Sequence, residues 1–229
     1  DFLNKENISK ETGLLLIQDF IKNQDLLEDG KEPYPISIRG INWIKFLVKN
    51  SIKNTSIDRT LYFHYKILLK NLEYHLLGNH LLENAFSLFF GAYYFQDERL
   101  YSKSKKLLIS ELNEQVLIDG AHFELSPMYH QIILSRLLEC IHLKKINSTW
   151  KSDDFIFFLE EKAKLMLSWL HNVTYKNGNI PMVNDSTFNI APASKKIFGY
   201  AKYLGLKRNE VPLLDSGYRK ISTDKYELF

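Results

Sequence analysis

Polar side chains that could form a functional site lie at the start of a predicted helix. Asn79 and Glu83 form a pair four residues apart, and an adjacent stripe has a spacing of three or four residues. The stripe of polar or small residues consists of His80, Asn84, Ser87 and Gly91. An apolar helix rarely carries this many polar groups without a use for them. Capping of a helix that begins near Asn79 explains the same residues about equally well.

A second cluster lies where Ser126 and Pro127 predict another helix start. Ser126 is a good N-cap residue, and Pro127 suits the first helical position because its missing N–H costs nothing there. The first turn of a helix has unpaired N–H groups and the positive end of the dipole, which favour an anion. Ser126 and Pro127 alone fit plain helix initiation. Four reactive side chains close to them favour a functional site: His122, Glu124, Tyr129 and His130.

Two further places could contribute to binding. Asn184, Asp185 and Ser186 form a polar loop segment, which could also be an ordinary Asx-turn. Arg39 and Trp43 lie one helical turn apart and could offer a charge and a stacking ring to a sugar. Equally, Trp43 could belong to the core and Arg39 to the surface.

Composition excludes several classes of protein. The chain has 229 residues, of which 45% are hydrophobic and 14% aromatic, so a packed core is expected. Its net charge of +3 comes from scattered residues, without the basic stripe of a nucleic-acid-binding protein. No segment approaches the length of a membrane helix. Cys140, the single cysteine, is expected to be a buried thiol, and no pair of histidines has metal-ligand spacing, so no metal is predicted in this chain.

Helical periodicity dominates the chain. It predicts helices over 12–22, 36–48, 58–77, 81–95, 98–116, 127–144, 154–172 and 191–204. Short connections between them predict stacked helical hairpins. Two short alternating segments, 216–221 and 225–229, predict strands at the end of the chain. We therefore expect an all-α protein in which a β domain begins at the last residues, as in a piece of a longer protein.

Three segments, in this order, resemble the heparinase II/III and alginate lyase superfamily: 32–45, 78–85 and 119–130. Asn184-Asp185-Ser186 and Ser216-Gly217-Tyr218 are similar to the end of the family's helical domain and the opening of its β-sandwich. The resemblance implies an incomplete (α/α) toroid over residues 1–214. It also implies that residues 215–229 begin a truncated β-sandwich domain.

The resemblance implies an enzyme that cleaves uronic-acid polysaccharides by β-elimination, with an acidic polysaccharide as its partner. Asn79 and His80 match the positions that neutralise the uronate carboxylate, and Tyr129 matches the general base and acid. Substrate contacts would come from Arg39, Trp43, Glu83, Asn84, His122, Glu124, His130 and Asn184. A free phenol has a pKa of about 10, so a tyrosine base needs positive neighbours, and His130, His80 or an arginine could serve.

In the family, a β domain completes the cleft and sometimes holds a metal. We therefore expect this chain to be inactive alone and to contain no cofactor. The resemblance also implies a periplasmic or secreted bacterial protein, with a cytoplasmic location left open.

Two other functions fit the same residues. A non-catalytic helical module could bind a glycan or a protein, because helical toroids and solenoids look alike in sequence. A glycoside hydrolase on a similar barrel needs two carboxylates across a cleft. Its candidates are Glu83, Glu124 and Asp185, none of which is paired with another by spacing.

Overall fold

The structure is a computed structural model that describes residues 2–5, 7–27, 29–76, 78–150 and 154–229. Within these residues there are eight α-helices: α1 (Lys10–Asn23), α2 (Pro33–Lys49), α3 (Thr55–Lys70), α4 (Asn79–Phe95), α5 (Glu98–Gln115), α6 (Pro127–Ile146), α7 (Phe155–Val173) and α8 (Ser194–Tyr203). Short 3₁₀ turns cover Phe2–Asn4 and Gln24–Leu26. The mostly helical fold is confirmed, and all eight predicted helices are present, with shifted ends.

The largest error in the predicted helices is the end of α3, which was expected at residue 77 and lies at Lys70. The backbone N–H of Asn71 turns back to the carbonyl of Leu68. Two residues later, the N–H of Glu73 donates to the side chain of Asn84 at 3.1 Å. A contact across eleven residues therefore competes with continuation of the helix. The periodicity of the sequence along α3 gives no indication of that contact.

The chain forms two compact units, residues 1–107 and 108–229, with the boundary inside α5. In the first unit, α2 and α4 share the most extensive helix contact, and α3 packs against both. The ring of Tyr65 lies against two glycines of these helices. A Cβ atom would lie 2.7 Å from Tyr65 at either Gly40 or Gly91. Glycine therefore permits the close packing of α2, α3 and α4.

The second unit is built on the pair α6 and α7, with α8 packed on α6. Its central turn contains Asp119 and Gly120, both fully buried. Gly120 has φ +89°, and a Cβ there would lie 2.1 Å from the carbonyl oxygen of Leu165. Only glycine fits this position, because the backbone conformation and the contact both exclude a side chain.

Asp119 connects this turn to the C-terminal segment of the same unit. Its Oδ2 accepts hydrogen bonds from Leu214 N–H, Ser216 N–H and Ser216 Oγ–H, at 2.9, 3.0 and 2.7 Å. Burial alone would raise the pKa of Asp119, but these bonds and one from the N–H of Ala121 hold that pKa below its ordinary value. Asp119 thus remains ionised and anchors residues 214–216.

Two short antiparallel strands follow, β1 (Ile221–Ser222) and β2 (Glu227–Leu228). The small sheet is where strands were predicted, but the expected start of the first strand, at Ser216, is wrong. The backbone N–H and the hydroxyl of Ser216 both donate to Asp119. The Ser216 hydroxyl oxygen also accepts from the indole N–H of Trp169 at 3.2 Å. The toroid, the domain boundary at residue 214 and the β-sandwich stay predictions.

Candidate active-site residues

Asn79 and His80 lie in the first turn of α4. Gly78 is the N-cap residue with φ 90° and ψ −149°, which places Asn79 at the first helical position. The capping interpretation assigned the N-cap to Asn79. The N-cap is instead Gly78, one residue earlier. Asn79 is buried, whereas the side chain of His80 is 39% exposed. His80 thus combines partial solvent access with the positive end of a helix dipole.

Two neighbours hold the His80 ring. Its Nδ1 lies 3.4 Å from Oε1 of Glu73, and the phenol ring of Tyr34 packs against it with centroids 4.5 Å apart. The carboxylate makes an N–H on Nδ1 favourable, because an ionised oxygen accepts a hydrogen bond. The ring orientation is therefore set by contacts within the first unit.

Glu73 is itself buried, and Asn84 holds it with two hydrogen bonds. Asn84 Nδ2 donates to Glu73 Oε2 at 2.8 Å, and Asn84 Oδ1 accepts from the N–H of Glu73 at 3.1 Å. Asn84 also donates to Ser37 Oγ at 3.1 Å and is fully buried. The polar stripe therefore faces the interior from Asn84 onward. Glu83 is also fully buried.

Glu73 is a candidate that the sequence analysis missed. The segment around it, residues 71–76, was predicted to form the last turns of a helix, where a lone glutamate is expected at the surface. No spacing rule connects Glu73 to His80 or Asn84, because they meet through a loop. Gly78, which is the N-cap of α4 with φ 90°, was the signal in the sequence that a loop precedes this helix.

Arg39 and Trp43 pack on the same phenylalanine. The guanidinium of Arg39 lies 4.5 Å from the ring centroid of Phe20 and donates to the carbonyl of Gly30 at 2.9 Å. Burial lowers the pKa of Arg39 to about 10, so it remains charged. Trp43 is 4% exposed and meets Phe20 edge-on at 5.6 Å. Little of the Trp43 ring is accessible to a sugar, and both substrate contacts stay predictions.

In the second unit, α6 begins as predicted at Pro127, with Ser126 as its N-cap. Ser126 Oγ accepts from the N–H of Tyr129 at 3.4 Å. Ser186 Oγ adds a second acceptor, for the N–H of Met128 at 3.2 Å, and lies 3.1 Å from Ser126 Oγ. Tyr129 is half-buried in this first turn. Glu124, just before it, is half-buried as well.

Asn184 and Tyr218 secure the chain immediately before α6. Asn184 Nδ2 donates to Tyr218 Oη at 2.8 Å and to the carbonyl of Leu125 at 3.2 Å, and Tyr218 Oη donates to the same carbonyl at 2.8 Å. Leu125, Asn184 and Asp185 have φ of 55°, 47° and 60°. Positive φ is uncommon for such residues, and a group of them is typical of a functional region. Burial raises the pKa of Tyr218.

His122 and His130 are buried and uncharged. His130 Nδ1 accepts from the N–H of His122 at 3.3 Å, so its proton is on Nε2, which donates to the carbonyl of Met166 at 3.0 Å. Burial lowers the pKa of His130 to about 4. Burial, followed by the nearby His130, lowers the pKa of His122 to about 3. His130 therefore does not supply the positive charge expected of it beside Tyr129.

Neither a metal centre nor a membrane helix is found in the described part of the chain. No group of three or more His, Cys, Asp or Glu side chains there could hold a metal ion. None of the helices within the described ranges is long and apolar enough to cross a bilayer.

The structure thus defines a class of protein: a helical domain with polar residues in the first turns of two of its helices. Residues 43–206 match the sequence profile described as heparinase II/III N-terminus, a range that contains Asn79, His80 and Tyr129. The match covers well over half of the chain, so the chain belongs to the heparinase II/III N-terminal family. This membership relates it to the polysaccharide lyases.

A solved structure of a heparinase III gene product has a similar fold. The TM-score is 0.58 with 18% sequence identity, over 93% of this chain and 39% of that one. At this identity the likeness concerns the fold alone. The chain thus spans about two fifths of the length of the solved heparinase III chain. No curated protein sequence gives a significant match.

Proposed function

We propose that this chain is the helical part of a polysaccharide lyase that cleaves a uronic-acid-containing polysaccharide by β-elimination. The observation that carries the proposal is the family match across residues 43–206, together with Asn79, His80 and Tyr129 in the first turns of their helices. An acidic polysaccharide is the substrate class. A secreted or periplasmic location belongs to the same proposal.

Asn79 and His80 neutralise the uronate carboxylate in this mechanism. Removal of the proton α to that carboxylate creates a second negative charge on an anionic group, so donors must be aimed at the oxygen atoms. Asn79 and His80 are the first two residues of α4, where the positive end of the helix dipole adds to their effect. The 39% exposure of the His80 side chain leaves it accessible to a ligand.

Tyr129 acts as general base, general acid or both. A phenolate is stabilised in the first turn of α6 by the dipole, but at exposed sites this contributes only about 0.3–1 kcal/mol. Abstraction at neutral pH by an ordinary phenol costs about 4 kcal/mol. His122 and His130 are neutral and do not supply the difference, so the remaining stabilisation would come from other groups of the full-length protein.

The other substrate contacts differ in accessibility. Asn184 is exposed and Glu124 half-buried, so both can meet a ligand directly. Five of the remaining candidates are buried and would act mainly by holding their neighbours in place: Trp43, Glu83, Asn84, His122 and His130. Arg39 is half-buried and is held by the carbonyl of Gly30 and the ring of Phe20.

The test is an assay of the full-length protein on a panel of uronans, followed by the absorbance of the unsaturated uronate product. In the active protein we expect Tyr129→Phe to lower kcat about 10²–10⁴-fold, the range of general acid–base catalysis, because the phenol O–H is removed and the ring is kept. Unfolding in denaturant, measured in parallel, is expected to be little changed.

The matched control is Tyr203→Phe, which removes a phenol O–H from a side chain of the same unit that is 73% exposed. This variant should retain wild-type kinetics. Wild-type activity in Tyr129→Phe would remove Tyr129 from the mechanism. Saturable binding of a uronan without any product, in the unmodified full-length protein, would instead identify a non-catalytic glycan-binding module.

A further inference from the structure

Glu73 is a buried carboxylate in contact with a partly exposed histidine of the proposed site. It lies in the loop between α3 and α4 and is 5% exposed, whereas the side chain of His80 is 39% exposed. The Oε1 atom of Glu73 lies 3.4 Å from Nδ1 of His80. A charge is costly to bury unless it is bonded, so a buried carboxylate beside a functional group requires an explanation.

Asn84 fixes Glu73 in one orientation. It donates to Oε2 at 2.8 Å and accepts from the backbone N–H of Glu73 at 3.1 Å. Asn84 is held in turn by Ser37 Oγ at 3.1 Å. With Oε2 engaged by Asn84, Oε1 is the oxygen that faces His80. The carboxylate is therefore positioned by the core of the first unit before any ligand binds.

We infer that Glu73 is a positioning residue for His80, which holds a proton on Nδ1 and leaves Nε2 to face the ligand. The Tyr34 ring packs against the His80 imidazole, with ring centroids 4.5 Å apart, and so restricts rotation of the imidazole away from Glu73. A carboxylate that accepts from one ring nitrogen determines which nitrogen is available to a ligand. In the charged ring, Nε2–H is then the donor to a carboxylate. In the neutral ring, Nε2 is an acceptor.

The first test reads the His80 tautomer and does not depend on lyase activity. The 229-residue chain is labelled with ¹⁵N-histidine, and the two ring nitrogens are observed by NMR at about pH 9, where an ordinary imidazole is neutral. Loss of one signal set in His80→Gln assigns the ring. We expect Nδ1 of His80 to carry the proton in the wild-type chain. If the proton of His80 is found on Nε2 in the wild-type chain, that result by itself shows the inference to be wrong.

Glu73→Gln is the diagnostic variant. The amide oxygen can still accept from Asn84, which turns the NH₂ group toward Nδ1 of His80. Nδ1 then becomes an acceptor and the proton moves to Nε2, so the tautomer is expected to invert. Asp58→Asn is the control, since it converts a carboxylate of the same unit that accepts from Tyr94 Oη at 2.7 Å. It should leave the His80 signals unchanged. An unchanged tautomer in Glu73→Gln would contradict the inference.

The second test is kinetic and rests on the proposed function. In the full-length protein, we expect Glu73→Gln to lower kcat/KM about 10–100-fold, the usual effect of residues that orient a functional histidine. In the His80→Gln background it should cause no further loss, because the two residues act as one unit. Additive losses would contradict the inference. An Nδ1–H tautomer in a protein that forms no product would refute the lyase and leave the positioning role intact.

Discussion

His122 and His130 lie within seven residues of Tyr129, but both are buried, whereas Tyr129 is half-buried. Both imidazoles are neutral and form hydrogen bonds inside the second unit, to Gln115 and Met166. Polar residues at one helix start thus divide into a half-buried tyrosine and two buried histidines. Residue type alone could not make this division, because it depends on exposure.

The buried histidines predict that stability falls in weak acid. The folded-state pKa of His130, about 4, is below the ordinary value of about 6.5, so the unfolded chain binds protons first as pH falls. The stabilisation is therefore complete above about pH 6.5 and is lost progressively toward pH 4, by about 3 kcal/mol for His130. Denaturant unfolding at a series of pH values measures this dependence.

His130→Gln provides the comparison, since a glutamine amide can still donate to the carbonyl of Met166. The variant should be less stable at pH 7 and should show a shallower fall between pH 6.5 and 4. An equally steep fall in the variant and in the wild-type chain would show that His130 is not the group responsible.

At the scale of elements, the starts of the helices depend on neighbouring residues, whereas the contacts between the helices depend on residues far apart in the chain. Ser126 and Pro127 start α6 where the sequence predicts, because capping depends on adjacent residues. The end of α3 and the position of Ser216 were mispredicted, because Asn84 and Asp119 bind those segments from distant parts of their units. Side chains of one element thus decide where another ends.

Two glycine substitutions separate packing from helix propensity. Gly91→Ala places a Cβ 2.7 Å from the Tyr65 ring between buried helices, so we expect a loss of about 1–3 kcal/mol of unfolding free energy. Gly199→Ala, in α8, has no atom within 4 Å of the added Cβ and should gain about 0.5–1 kcal/mol. Denaturant midpoints of both variants measure this. A neutral Gly91→Ala would show that α4 and Tyr65 can separate at little cost.

At the scale of the whole molecule, the chain covers about two fifths of the length of the solved heparinase III chain. The remainder of such a protein is where additional cleft residues, and any metal, would lie under the proposed function. The family relation was recognisable from three ordered segments of the sequence, 32–45, 78–85 and 119–130. The toroid and the domain boundary at residue 214 stay predictions.

We expect the 229-residue chain alone to form no unsaturated product from any uronan that the full-length protein cleaves. The reason is that, under the proposed function, the remainder of the protein completes the cleft, and an incomplete cleft neither positions the substrate nor excludes water from it. Parallel absorbance assays at equal molar concentration measure the difference. Turnover by the chain alone at the rate of the full-length protein would show that all the catalytic groups lie within these residues.

The sequence by itself determined the presence of the helices, the start of α6 at Pro127 and the family, because periodicity, capping and motifs are local properties of the chain. Tertiary structure alone decided which polar residues are accessible and which are buried. It brought Glu73 to His80 through a loop, made His122 and His130 neutral and enclosed Trp43. Burial and hydrogen bonding between distant segments set these properties, and neither is encoded in the spacing of neighbouring residues.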